Sequence, residues 1–124
     1  MINRIDHLVL TVKDLDATVK FYETLGMRHE TFDDHRSALR FGTAKINLHH
    51  VDRTFEPRAS RPTPGSADLC FVAAIPLEEV RRRVLAAGLA IEEGPVEQTG
   101  AQGPMQSIYL RDPDSNLVEI SWYG

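Results

Sequence analysis

The stretch Ile5–Gly26 lies over Ala67–Gly88 at a constant offset of 62 residues. This internal repeat constrains the fold more than any other feature of the chain. It sets Asp6 on Asp68, Leu15 on Leu77 and Gly26 on Gly88. Each copy reads as a short apolar, β-branched run, then an acidic helix start, an apolar stripe at helical spacing and a glycine stop. Two similar halves of this length point to a duplicated β-α-β-β-β unit. Each unit then has a four-stranded sheet with one helix on one face. The opposite face must be covered or must enclose something.

The details fill in that frame. Ile5–Val12 reads as a buried strand, and Asp14 or Asp16 suits the cap of the helix that follows. Leu15, Val19, Phe21 or Tyr22, and Leu25 form its stripe, with three strands expected at Arg28–Asp33, Ser37–Phe41 and Lys45–Val51. Residues 53–66, with Pro57, Pro62, Pro64 and Gly65, read as an irregular, exposed linker. In the second copy Asp68–Ala74 is a strand and Pro76-Leu77-Glu78-Glu79 opens a helix. Val80, Val84, Leu85 and Leu89 form the stripe of that helix. Strands follow from Ile91, over Gln106–Leu110 and over Leu117–Trp122, and the glycine-rich Thr99–Pro104 reads as a lid or a connecting loop. The chain is thus expected to be α+β and one domain, with module one at 1–52, the linker at 53–66 and module two at 67–124.

Composition narrows the function classes. A net charge of -4 and a pI near 5.7 argue against nonspecific binding to nucleic acid or to an anionic membrane surface. No apolar run is long enough to span a membrane. Met1–Leu10 lacks a secretory-signal layout, because its apolar segment is short and carries His7. The single cysteine, Cys70, sits in an apolar run and reads as a buried, inert thiol, in keeping with a reducing cytoplasm.

His7 interrupts its apolar strand, and a polar, metal-capable side chain there needs a partner or a purpose. Strand alternation sorts its neighbours. Leu8, Leu10 and Val12 suit the helix, leaving His7, Val9 and Thr11 on the open face. By the same parity Asn47 and His49 share the open face of one module, and Leu117, Glu119 and Ser121 that of the other. His49 and Glu119 stand at matching places, just after Asn47-Leu48 and Leu117-Val118. The ungapped repeat sets Leu69 opposite His7. However, Leu69 and Phe71 have the bulk of a helix-facing row, which puts Asp68, Cys70 and Val72 on the open face at the cost of one extra residue before the second helix. His7, His49 and Glu119, with or without Asp68, are a donor set suited to Fe, Mn, Ni, Co or Zn. The bland alternative is a satisfied His7, an edge-exposed His49-His50 pair and a surface Glu119. Ser107, Tyr109 and Arg111 alternate along one strand as candidate substrate contacts, Arg111 alternatively forming an ion pair near its turn. His29, His35 and His50 are assigned to the surface or to strand edges.

Three motifs carry a family resemblance: Ile5-Asp6-His7-Leu8, the segment from Lys20-Phe21-Tyr22 through Leu25-Gly26-Met27, and Arg111-Asp112-Pro113-Asp114-Ser115-Asn116-Leu117-Val118-Glu119. Together they resemble the vicinal oxygen chelate superfamily (the glyoxalase, bleomycin resistance and dioxygenase proteins), with Ser115 where a glycine is usual. Lys45–His49, Pro62–Cys70 and Thr99–Pro104 look more narrowly like the glyoxalase-domain-containing protein 5 group and its bacterial virulence-protein relatives.

The resemblance implies two paired βαβββ modules forming a cupped, half-barrel mixed sheet with the helices outside. It also implies one divalent metal, Zn, Ni, Mn, Co or Fe, ligated from the first and last strands of the modules. In this sequence those positions are His7, His49, Asp68 and Glu119. The implied activity is that of a metal-dependent lyase or isomerase of glyoxalase I type. Its substrate is a small dicarbonyl or thiohemiacetal-like molecule, and its reaction runs through a metal-stabilised enediolate, with Glu119 or Asp68 as the base. A histidine is usual where Asp68 stands, and glutamine or glutamate where His49 stands, so use of glutathione does not follow. A non-haem Fe(II) extradiol-type dioxygenase and a metal-free drug-binding protein are the competing classes. A homodimer is implied, with the site in one chain or across two.

Overall fold

The computed structural model describes residues 1–124. The chain divides into two compact units, Met1–Ser66 and Ala67–Gly124. The first holds β1 (His7–Val12), α1 (Leu15–Thr24), β2 (Arg28–Phe32), β3 (Arg36–Phe41) and β4 (Ala44–His50). The second holds β5 (Asp68–Val72), α2 (Leu77–Ala86), β6 (Glu93–Gly100), β7 (Gly103–Arg111) and β8 (Leu117–Trp122). Each unit is therefore a βαβββ module, and the fold is α+β.

The two sheets share one topology. Their strand orders are β1-β4-β3-β2 and β5-β8-β7-β6, so the first and last strands of each module lie side by side and parallel. The helix carries the chain from the first strand to the far edge of the sheet, from which two antiparallel steps lead back to the first strand's parallel neighbour. In module one Leu10, Val12, Ile46, Leu48 and Leu39 form the buried row, with Phe21 and Tyr22 of α1. In module two the core is Leu77 and Val84 of α2 with Ile108, Leu110, Val118 and Ile120. Leu85, expected in the α2 stripe, is 44% exposed; Leu77, Val80 and Val84 at i, i+3 and i+7 are the inward-turned residues.

The helix starts differ. Asp14 caps α1, its carboxylate accepting from the Ala17 amide at 3.0 Å. Pro76 opens α2 with no side-chain cap.

Several local expectations change. His7 is not buried: β1 begins at His7 itself, whose face carries no helix, and the residue is exposed. Thr99–Pro104 is neither lid nor long loop. Thr99 pairs with Pro104 and Gly100 with Gly103 in a tight hairpin whose Gln102 amide donates to the Tyr123 hydroxyl at 3.1 Å. The segment 53–66 belongs to the first compact unit, and its Phe55 packs its ring on His49. Ser115 adopts φ +67, the left-handed conformation a glycine would favour. Asp112 holds that turn by accepting from the Asp114 and Asn116 amides at 2.9 and 3.0 Å. No helix is long and apolar enough to cross a membrane.

Candidate functional site

The uncovered faces of the two sheets carry the chemistry. In module one the parallel ladder pairs His7 with Lys45, Val9 with Asn47 and Thr11 with His49. The antiparallel neighbours add Ala38 opposite Asn47, and Phe32 opposite Arg36. His7, Lys45, Asn47, His49, Arg36 and Phe32 therefore share one face.

His7 and His49 are not brought together. They are four residues apart along neighbouring strands, roughly 13 Å at the usual strand rise. His7 donates from Nδ1 to Asp6 Oδ1 at 2.8 Å, which leaves Nε2 free. This is the orientation a metal-ligating histidine takes when a carboxylate fixes its tautomer. His49 is buried; its Nε2 lies 3.5 Å from Arg36 Nη2 and its ring centroid 5.2 Å from that of Phe55. Burial, then the Arg36 charge, pushes its imidazole below the usual range, so it is neutral at pH 7. The Asn47 side chain is also buried, and its Oδ1 accepts no hydrogen bond.

In module two the ladder pairs Asp68 with Leu117, Cys70 with Glu119 and Val72 with Ser121. Asp68 thus lies on the face of Glu119, while Leu69 and Phe71 point the other way. The neighbouring strand sets Tyr109 across from Glu119 and Ser107 across from Ser121. The Ser107 hydroxyl donates to Glu119 Oε2 at 2.6 Å, and Ser121 Oγ lies 3.2 Å from the same oxygen and 2.6 Å from Ser107 Oγ. Burial raises the Tyr109 phenol above its ordinary value, and the charge of Glu119 and a hydrogen bond to it add to the shift. Glu119 is therefore held by a buried hydroxyl network.

Arg111 shares that face but is engaged elsewhere. Its Nε and Nη2 donate to Glu92 at 3.0 and 3.2 Å, and its Nη1 to the Ser115 carbonyl at 3.1 Å. The ion-pair alternative is thus the arrangement observed. Cys70 is exposed rather than buried, because the open face is the one it shares with Glu119. Desolvation raises its thiol above the ordinary value, and Glu119 and Asp68 add to the effect against a Ser121 hydrogen bond.

The registers also change which residues correspond. His7 opens β1 across from Lys45, and Asn47 stands two residues further along β4. Asp68 opens β5 across from Leu117, and Glu119 stands two residues further along β8. Asn47, not His49, therefore occupies in module one the place of Glu119 in module two. The local likeness of Asn47-Leu48 to Leu117-Val118 misleads because β3 and β4 are joined by a two-residue turn, whereas five residues, Asp112–Asn116, join β7 and β8. Sequence reasoning also passed over Arg36 and Phe55. The parity that selects Asn47 and His49 would have reached Arg36 once β3 was paired with β4.

A family model described as the glyoxalase/bleomycin resistance protein/dioxygenase superfamily matches residues 4–120. The chain belongs to that superfamily. It is 59% identical over 124 residues to virulence protein STM3117 of Salmonella typhimurium, covering 99% of this chain and 86% of the relative. The crystal structure of that protein matches with a TM-score of 0.98, covering 100% of this chain and 99% of the other. A glyoxalase domain-containing protein, RDO1 of Mycosarcoma maydis, is 48% identical over 98% of this chain and 69% of its own length. Metallothiol transferase FosB of Shouchella clausii is 30% identical over 97% of this chain and 80% of its own length. The lactoylglutathione lyase of Agrobacterium tumefaciens shares the fold, with a TM-score of 0.75 at 22% identity over 99% of this chain and 96% of the other. The superfamily contains metal-dependent enzymes acting on small molecules.

Proposed function

We propose that this chain is a divalent-metal-dependent lyase or isomerase of glyoxalase I type, acting on a small vicinal-oxygen substrate such as a dicarbonyl or a thiohemiacetal-like thiol adduct. The observation that carries the reading is the matched register. Each module presents a polar residue at the start of its first strand and another on its last strand, two residues beyond the first one's cross-strand partner, His7 with Asn47 and Asp68 with Glu119. The name of the metallothiol transferase relative supports a metal and a thiol.

The donor chemistry fits such an ion. His7 keeps Nε2 free, Asp68 and Glu119 supply carboxylate oxygens, and Asn47 Oδ1 is a buried acceptor without a donor. The structure brings no three His, Cys, Asp or Glu side chains together about one metal position. In this proposal the ligands come from both kinds of module, in one chain or across a homodimer. His7, Asp68 and Glu119 would hold the ion, with His49 and Asn47 competing for the fourth place. Bound there, the ion supplies Lewis acidity that stabilises negative charge developing on substrate oxygens.

The remaining work falls to the protein. Ser107 and Ser121 engage Glu119 Oε2 and hold the carboxylate in place; when it is not holding the ion, Glu119 would take a proton from carbon next to a carbonyl. Asp68 is the second carboxylate in reach of that role. Tyr109, kept protonated by burial and the neighbouring charge, holds its proton towards Glu119.

Elemental analysis of the purified full chain tests the assignment. His7→Ala and Glu119→Ala should lose bound metal and His50→Ala should keep it; full retention in the first two sinks the reading. The register predicts a larger loss of metal affinity in Asn47→Ala than in His49→Ala. Oxygen uptake with Fe(II) and a catechol would instead identify a dioxygenase.

A further inference from the structure

Arg36 is a cation on module one's open face that forms no ion pair with an acid, and it shares the Phe32 ring with Lys45, whose Nζ lies 3.9 Å from the centroid. Its guanidinium carbon lies 5.0 Å from the Phe32 ring centroid and 4.7 Å from that of Phe55. Both rings lie within cation–π range of this planar, weakly hydrated group. Its polar neighbour is the buried His49, with Nη2 3.5 Å from Nε2. Its Nε–H is buried and finds no acceptor.

The arginines near acids behave differently. Arg40 binds Glu30, Arg58 binds Glu56, Arg82 and Arg83 bind Glu79, and Arg111 binds Glu92. Arg36 takes part in none of these ion pairs. Aromatic contacts fix its plane, so the N–H edge that remains is preorganised for an anion with two oxygens. Its position is set by the sheet. Arg36 opens β3 across from Phe32, two residues before Ala38, which pairs with Asn47. The guanidinium is thus tied to the same face as His7 and Asn47, assigned above to the metal.

We propose that Arg36, held against Phe32 and Phe55 beside His49, binds the carboxylate of an anionic substrate. The substrate class is therefore a small carboxylate that also carries vicinal oxygens, not a neutral dicarbonyl. This rests on the metal-site reading for where the substrate lies, but the anion contact is testable apart from it. Arg111, the other arginine considered for this role, already has Glu92 as its partner.

The experiment titrates benzoate into the metal-loaded full chain by calorimetry, with the metal-to-protein ratio measured on every sample. Benzoate should bind wild type, and Arg36→Met should weaken it about tenfold or more, the worth of a hydrogen bond to a charged group. Arg36→Lys keeps charge and bulk but loses the fork, so it should fall between the two. The metal ratio should be the same in all three. Benzoate binding in Arg36→Met within about twofold of wild type overturns the proposal, as does no binding to wild type. If Arg36→Met fails to fold by its melting curve, Arg36→Lys alone decides, and wild-type affinity there overturns it. A chain that takes up no metal yet binds benzoate through Arg36 would refute the metal reading and leave this one standing.

Discussion

The two modules have one topology and opposite electrostatics. Residues 1–66 carry ten Lys and Arg against nine acids, and all five histidines. Residues 67–124 carry four arginines against nine acids, and no histidine. The open faces sharpen the contrast. Module one offers Arg36, Lys45, Asn47 and two histidines, with a buried guanidinium nitrogen and a buried amide oxygen left unpaired. Module two offers Asp68 and Glu119, and its key carboxylate is already saturated on one oxygen by serine hydroxyls. Buried polar atoms are normally paired, so in the reading proposed above the unpaired face receives a ligand and the saturated face holds a group still.

The largest expected effect breaks that contrast at Ser107. Its hydroxyl lies 2.6 Å from Glu119 Oε2 and is fully buried. Ser107→Ala should weaken metal binding by about 10- to 100-fold, the usual effect of removing a group that orients a ligand. A competition titration against a chromophoric chelator measures it. Arg36→Met should leave the same affinity unchanged. Equal losses in the two variants would show that the faces do not differ in role.

An intermediate effect separates the helices. Asp14 satisfies an amide at the start of α1, and Pro76 supplies no such bond to α2. Asp14→Ala should lower stability to urea by about 1 kcal/mol. A change near zero would mean that α1 is held by its packing of Phe21 and Tyr22 alone.

Much of the frame was legible because repeat, alternation and capping are local signals. The offset of 62 fixed both helices, and parity alone assigned Leu10, Val12, Leu48, Val118 and Ile120 to the helix side. Parity also put Asp68 on the side of Glu119, against the ungapped repeat. What was not legible depends on how strands slide past one another. Parity says which face His49 shares with His7 but not that Thr11 is its partner across the ladder. That register is a long-range pairing between strands more than thirty residues apart in sequence. Phe55 was hidden for a related reason. Its segment is rich in proline and reads as a linker, and only folding back over His49 and Arg36 gives it a role.

The smallest expected effect lies on the surface of module two, on the helix rather than the open face. Glu79 on α2 accepts from Arg82 and Arg83 one turn on, and these bonds, Arg82 first, hold its carboxyl down at about 2. A folded-state value below the unfolded one contributes stability above the unfolded value, near 4.5, and that stability is lost as pH falls towards 2. Glu79→Gln should therefore flatten the acid limb of the stability curve in that window and change little at pH 7 and moderate salt, where exposed pairs are screened. Module one has no matching arginine run on α1. An acid transition of the whole chain that persists unaltered in Glu79→Gln would therefore assign acid sensitivity to other carboxylates, Asp6 among them, which His7 also holds below its ordinary value.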